Sequence, residues 1–287
     1  MDHQYIETNG IRLHVLQDGP KDAPLVILLH GFPDFSYGWR HQISYLASAG
    51  YRVWAPDQRG YNLSDKPDGL ASYYLDVLAA DVVGLIDVAG QKQVVLVGHD
   101  VGGSIAWWIA NKYPDRLSKL VILNIPNAAA KIRLRGNFTQ LLKLWYVLFF
   151  QIPWLSEFLS SIQNWNLLIQ MMKNSSRPGA FTESDLDRYR QAWSQPKAFT
   201  SMLNWYRAGF RKLPTPPANP RISVPTLLIW GGAQDGLLGR DLAQQSIDIC
   251  DNGRLVLIEE GTHWVQAEEP ERVNELIGAF LRNGMKD

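Results

Sequence analysis

The chain has 287 residues, 28 basic and 28 acidic side chains, 46% hydrophobic residues and a single cysteine. This length allows one large α/β domain, with or without an insertion, and its core needs no disulfide bonds. The balanced charge gives no indication of a nucleic-acid partner. Because no run of about 18 apolar residues suggests a membrane span, and because no signal-peptide pattern opens the chain, we expect a soluble, cytoplasmic protein.

The first half of the chain alternates predicted strands with predicted helices. Residues 11–17 alternate apolar and polar side chains, as in a half-exposed antiparallel strand, whereas residues 25–29 are all apolar. A helical pattern over 39–49 is followed by a strand over 51–57. A second helical pattern runs from 75 to 86. Strands that alternate with helices predict a parallel sheet covered on both faces.

The next stretch carries the strongest chemical signal. Residues 94–97 are apolar and predict a buried strand, and apolar residues at helical spacing follow the sequence Gly-His-Asp-Val-Gly at 98–102. Strand, tight turn and helix form the context of a nucleophile elbow, usually written G-x-S-x-G. Here the central residue is Asp100, and a carboxylate can displace a leaving group at a saturated carbon to form an ester.

The alternation stops after Pro126. Residues 127–219 contain no convincing strand; they are apolar, aromatic and helical in pattern, and they end in a proline-rich linker. We therefore predict a core formed by 1–126 and 220–287, with 127–219 as an all-helical cap over the carboxyl edge of the sheet. The remaining elements are predicted as strands over 120–124, 226–230 and 254–258 and as helices from 241 and over 271–282.

Reactive groups of open α/β sheets gather at the carboxyl ends of the strands. Asp100, Asp235 and His263 follow apolar strands in the order nucleophile, acid, base that a hydrolase elbow requires. Each residue alone is a weak signal, but the three together predict a catalytic triad. Other polar residues after predicted strands are His30, Asp57 and Asn124, and we interpret His30 and Asp57 as supports of the loops that follow them.

Four motifs together resemble the epoxide hydrolase branch of the α/β-hydrolase superfamily: H-G-F-P, D-Q-R-G-Y-N-L-S-D-K-P, G-H-D-V-G-G and G-T-H-W. The resemblance covers nearly the whole chain. It implies a mostly parallel sheet, an all-helical cap inserted after the sixth strand, and no cofactor or metal. The segments 144–154 and 203–207 resemble the two cap segments that each carry a catalytic tyrosine, which assigns that role to Tyr146 and Tyr206.

The resemblance also implies a mechanism with a small lipophilic epoxide and water as reactants. Asp100 would attack a ring carbon while the two phenols donate hydrogen bonds to the epoxide oxygen. His263, oriented by Asp235, would then activate the water that hydrolyses the ester to a vicinal diol. The backbone N–H groups of Phe32 and Val101 would stabilise the oxyanion.

Two alternatives share the same Asp-His-Asp set. Haloalkane dehalogenases commonly place a Trp directly after the nucleophile and an Asn beside the oxyanion loop, where this chain has Val101 and Phe32. Fluoroacetate dehalogenases carry arginines where this chain has Val101 and Ser104. A non-catalytic ligand receptor on the same scaffold is a third possibility, because a fold alone does not give a function.

Aromatic residues are frequent in the predicted cap. Trp145, Trp154 and Trp205 either line an apolar pocket or pack in the core between helices, and both interpretations stay open at this point.

Overall fold

A computed structural model of the chain describes residues 1–128, 145–212, 219–232 and 239–283. Eight strands form one sheet in the order β1-β2-β4-β3-β5-β6-β7-β8. β1 and β2 are antiparallel to their neighbours, and the other pairs are parallel. The strands are β1 Asp2–Thr8, β2 Ile11–Asp18, β3 Leu25–Leu29, β4 Arg52–Pro56, β5 Val94–His99, β6 Leu117–Leu123, β7 Thr226–Gly231 and β8 Gly253–Ile258.

Helices connect the strands and cover the sheet. The α-helices are α1 Arg40–Ser48, α2 Leu75–Val88, α3 Asp100–Lys112, α4 Trp145–Phe149, α5 Leu155–Asn174, α6 Glu183–Trp193, α7 Ala198–Arg211, α8 Arg240–Ile247, α9 Val265–Glu268 and α10 Pro270–Asn283. Short 3-10 helices span Ser36–Trp39, Leu70–Tyr73 and Pro114–Arg116. Helix α5 is kinked between residues 162 and 165, where the backbone leaves helical geometry.

The central strands are apolar because helices cover both of their faces. Successive residues of a strand point to opposite faces, and β5 follows this rule: Leu96 lies in one buried cluster, while Val95 and Val97 lie in another. The prediction of an α/β fold with a mostly parallel sheet is confirmed. Strand β1 was not predicted, because only Ile6 and Thr8 of its residues are buried and its sequence is mostly polar.

Between β6 and β7, the described residues form helices α4 to α7 and no strand. These helices contact the loops after the carboxyl ends of β3 and β4. Tyr189 of α6 donates a hydrogen bond to Asp34 (2.8 Å), and Trp193 donates to the carbonyl of Pro33 (2.6 Å). The division of the chain at 127 and 219 stays a prediction. None of the helices in the described ranges is long and apolar enough to cross a membrane.

Candidate active site

The turn from β5 into α3 has the geometry of a nucleophile elbow. Asp100 has a φ of +47°, a left-handed conformation that non-glycine residues rarely adopt. The glycines around it allow close backbone approaches. A Cβ on Gly98 would lie 2.6 Å from the Cα of Gly103, and a Cβ on Gly102 would lie 2.3 Å from the carbonyl oxygen of His30. Only glycine fits at both positions, so the sequence pattern and the backbone agree.

The loop after β3 packs directly on the carboxylate of Asp100. The backbone N–H of Phe32 donates a hydrogen bond to Oδ2 of Asp100 (3.0 Å). A Cβ on Gly31 would lie only 2.6 Å from the Cβ of Asp100. Val101 belongs to the first turn of α3, where backbone N–H groups have no acceptor within the helix and the helix dipole favours negative charge. The two predicted oxyanion donors therefore lie in two different elements: Phe32 in the loop after β3 and Val101 in the first turn of α3.

The two predicted tyrosines lie beside each other, on different helices. The ring centroids of Tyr146 (α4) and Tyr206 (α7) are 6.3 Å apart, and the ring of Tyr206 packs edge-on against Phe32 at 5.2 Å. Burial raises the pKa of Tyr206 well above its usual value, and the nearby charge of Asp100 raises it further. The phenol of Tyr206 is therefore protonated at neutral pH.

His263 lies in the loop between β8 and α9 and is buried. The imidazole of His99, the residue before Asp100, donates from Nε2 to the carbonyl oxygen of His263 (2.8 Å). Its Nδ1 accepts a hydrogen bond from Gln266 (3.1 Å). His99 thus joins the elbow to the loop that carries His263. The predicted acid, Asp235, lies outside the described residues.

Glu268 also supports this loop, and no sequence pattern indicates that role. Its carboxylate accepts hydrogen bonds from the backbone N–H (2.6 Å) and the hydroxyl (2.7 Å) of Thr262, the residue before His263. It also accepts from the backbone N–H of Arg177, which follows helix α5 (2.7 Å). The contact ties the His263 loop to the helical segment.

His30 holds the loop that carries Phe32. Its Nδ1 donates to the carbonyl of Gly31 (2.9 Å), and its Nε2 accepts from the backbone N–H of Gln58 (3.1 Å). Burial lowers the pKa of His30 to about 4, so the ring is neutral and can make both bonds at pH 7. The structure therefore supports a positioning role for this histidine.

The structure describes the side chains of two of the three candidate pocket tryptophans, and their surroundings differ. Trp205 is buried, donates to the carbonyl of Arg59 (3.0 Å) and packs edge-on against Tyr61. Trp154 is 86% exposed, so it lies at the surface and not in an enclosed pocket. For Trp154 this contradicts both the pocket and the core interpretation, since an aromatic residue in a sequence does not reveal whether the fold covers it. For Trp205 the two interpretations stay open. The side chain of Trp145 lies outside the described residues.

Comparison with known proteins identifies the family. A family model described as the alpha/beta hydrolase fold matches residues 24–270. The AB hydrolase superfamily protein YfhM of Bacillus subtilis (strain 168) is 44% identical over 281 residues, which cover 98% of each chain. Epoxide hydrolase 4 of Homo sapiens is 39% identical over 285 residues, which cover 96% of this chain and 77% of that protein. The chain belongs to the epoxide hydrolases of the α/β-hydrolase family.

Solved structures of epoxide hydrolases agree with this assignment. The crystal structure of epoxide hydrolase A from Mycobacterium thermoresistibile superposes with a TM-score of 0.86 at 31% identity, covering 98% of each chain. In this member of the epoxide hydrolase family, the candidate residues Asp100, Phe32 and His263 lie at or just after the ends of β5, β3 and β8, and the candidates Tyr146 and Tyr206 lie on α4 and α7.

Proposed function

We propose that this chain hydrolyses lipophilic epoxides to vicinal diols through an ester formed on Asp100. The observation that carries the proposal is the environment of the Asp100 carboxylate. It is held in a left-handed elbow, accepts a backbone hydrogen bond from Phe32 at 3.0 Å, and lies within electrostatic range of the protonated phenol of Tyr206.

In the first step, an oxygen of Asp100 attacks a carbon of the epoxide ring, and the C–O bond of the ring breaks. The epoxide oxygen gains negative charge and takes a proton from one of the phenols of Tyr146 and Tyr206. Phenols suit this role because their ordinary pKa of about 10 leaves them protonated at neutral pH. The product of the step is an alkyl ester of Asp100.

In the second step, His263 takes a proton from water, and the resulting hydroxide attacks the carbonyl carbon of the ester. The N–H groups of Phe32 and Val101 stabilise the oxyanion, as preorganised donors do in other acyl-transfer sites. The diol leaves, Asp100 regains its carboxylate, and the proton on His263 restores the phenol through solvent. Asp235 completes the set as the residue that orients His263.

The same geometry argues against dehalogenation. The ring of Phe32 packs against Phe150 and Tyr206, and neither Phe32 nor Val101 has a side-chain donor for a leaving halide. Ser104 lacks the positive charge that a haloacetate carboxylate needs. An uncharged epoxide, activated by phenols, suits these residues better.

The test is a parallel assay of diol formation from aryl and alkyl epoxides and of halide release from haloalkanes and fluoroacetate. We expect diol from the native enzyme, none from Asp100→Ala, and none from the double variant Tyr146→Phe/Tyr206→Phe. Halide release without diol would make the protein a dehalogenase. A ligand receptor would keep its ligand binding in Asp100→Ala and show neither activity.

A further inference from the structure

Arg207 directly follows Tyr206 on α7 and is only 6% exposed. Its Nε donates a hydrogen bond to the carbonyl oxygen of Phe150 (2.8 Å). The same guanidinium donates to the carboxylate of Glu157 (2.7 Å) and to the hydroxyl of Ser156 (3.0 Å). One side chain of α7 is therefore bonded both to the end of the segment that contains α4 and to the start of α5.

Phe150 belongs to the turn that carries Tyr146. Its backbone N–H donates to the carbonyl of Tyr146 (2.9 Å), so the bond from Arg207 fixes the end of that turn. The ring of Phe150 packs against Tyr146 (5.6 Å between centroids) and against Tyr206 (5.3 Å). Both phenols thus share one aromatic neighbour, and the backbone of that neighbour is held by Arg207.

The bond pattern requires the shape of arginine. A planar guanidinium has five N–H donors in a fixed fork, so it can bind a carbonyl and a carboxylate simultaneously, whereas a lysine ammonium is a single flexible point charge. Glu157 neutralises the buried cation. Burial by itself would raise the pKa of Glu157, but the hydrogen bonds from Arg207 hold it below its usual value.

We propose that Arg207 is a positioning residue that fixes Tyr146 relative to Tyr206 and thereby sets the rate at which the epoxide is opened. The inference rests on the proposed function, since the two phenols act on the epoxide oxygen. They take part only while the ring opens, and His263 performs the later hydrolysis of the ester. Loss of Arg207 should therefore slow ester formation and leave ester hydrolysis unchanged.

Single-turnover experiments with styrene oxide separate the two steps, because the ester on Asp100 can be trapped by acid and detected by its added mass. A misplacement of about 1 Å can cost about 100-fold in rate, so we expect ester formation about 100-fold slower in Arg207→Met. Arg207→Lys and Glu157→Gln should fall between Arg207→Met and the native rate. Ester hydrolysis should change by less than about twofold in all three.

Arg59→Lys is the matched control. Arg59 is 5% exposed, and its guanidinium binds both carboxylate oxygens of Asp81 (2.7 and 2.6 Å) and the carbonyl of Asn9 (3.4 Å). Neither partner lies on α4 or α7, the helices that carry the two tyrosines. We expect its ester formation to stay near the native rate. Equal losses in Arg59→Lys and Arg207→Lys, or equal slowing of both steps in Arg207→Met, would overturn the proposal. If Arg207→Met does not fold, Arg207→Lys and Glu157→Gln give the same comparison.

A second measurement does not depend on catalysis. Alkaline titration followed by phenolate absorbance counts the tyrosines that ionise near the ordinary pKa of about 10. We expect one more tyrosine to ionise in this range in Arg207→Met than in the native protein. In Arg207→Met/Tyr206→Phe, that additional tyrosine should be absent. A titration identical to the native one would refute the positioning role. A native enzyme that opens no epoxide would instead refute the proposed function, while this titration would still decide the role of Arg207.

Discussion

Replacement of Glu268 by Gln should slow the second step of the reaction and not the first. Glu268 is the acceptor of three hydrogen bonds: two come from Thr262, next to His263, and one from Arg177. Glutamine keeps one acceptor oxygen and replaces the other with an amide NH₂. In the best orientation, the amide oxygen keeps two bonds, and the NH₂ faces the backbone N–H of Thr262.

The expected loss of stability follows from the hydrogen bond to the Thr262 backbone that Glu268→Gln removes. One hydrogen bond to a charged group contributes about 1.5–3 kcal/mol, so we expect Glu268→Gln to lower the free energy of unfolding by about 2–3 kcal/mol. An unfolding entropy of about 2.1 cal/mol/K per residue gives roughly 0.6 kcal/mol/K for a chain of this length, and hence a Tm lower by about 4 °C. Displacement of the His263 loop should slow ester hydrolysis about 10- to 100-fold.

The assay combines thermal unfolding with single-turnover kinetics on the same samples. In Glu268→Gln, the ester on Asp100 should form at the native rate and then accumulate. Glu269→Gln is the matched control, because the neighbouring Glu269 makes an ion pair with Arg177 (2.5 Å) and is partly exposed. Such a pair contributes about 0–1 kcal/mol, so its loss should leave both steps near the native rates. Native ester hydrolysis in Glu268→Gln, or slower ester formation, would refute the reasoning.

Three further substitutions test the loop beside Asp100, helix α7 and a buried acid. In Gly31→Ala, the new Cβ would lie 2.6 Å from the Cβ of Asp100, so single-turnover ester formation should fall about 100-fold. Gly209→Ala is the helical control: apart from its chain neighbours and the backbone of its own helix, no described atom lies within 4 Å of the added Cβ. Urea unfolding should therefore show a gain of up to about 1 kcal/mol, with turnover unchanged. Burial raises the pKa of Asp34 to about 7. Above about pH 4, native Asp34 therefore keeps a proton that the same residue loses in the unfolded chain. Because the native state binds more protons in this range, its stability declines as the pH rises from about 4 to 7. Asparagine does not titrate, so between pH 5 and pH 8 the free energy of unfolding of Asp34→Asn, measured in urea, should increase by about 2–3 kcal/mol relative to that of the native enzyme. Parallel curves of unfolding free energy against pH for the two proteins would contradict this.

The sequence predicts those strands and helices in which burial produces a regular pattern of apolar residues. Strand β3 matches its prediction at both ends because all five of its residues are buried and apolar. The elbow at Asp100 is predictable because its backbone requires glycines at fixed positions around the central residue. Strand β1 was missed because it is an edge strand with a mostly exposed sequence, and only its antiparallel pairing with β2 reveals it.

The long-range hydrogen bonds that support the candidate site could not be predicted from such patterns. The bond from Arg207 to Phe150 spans 57 residues, and the bond from Arg177 to Glu268 spans 91 residues. Arginine and glutamate usually lie in solvent, so their presence in a sequence indicates a surface and not a buried contact. Only the packing of the helices on one another and on the core brings these partners together.

The neighbouring positions of β6 and β7 have a consequence for how such proteins diverge. Leu123 at the end of β6 pairs with Ile229 of β7, and the side-chain oxygen of Asn124 accepts a hydrogen bond from the backbone N–H of Gly231 (3.2 Å). The chain thus returns to the sheet beside the strand that it left. A gene segment that encodes the intervening helices can be lengthened, shortened or exchanged without a change in the register of any strand pair. Selection can then act on the tyrosine-bearing helices and on the sheet through separate stretches of the gene.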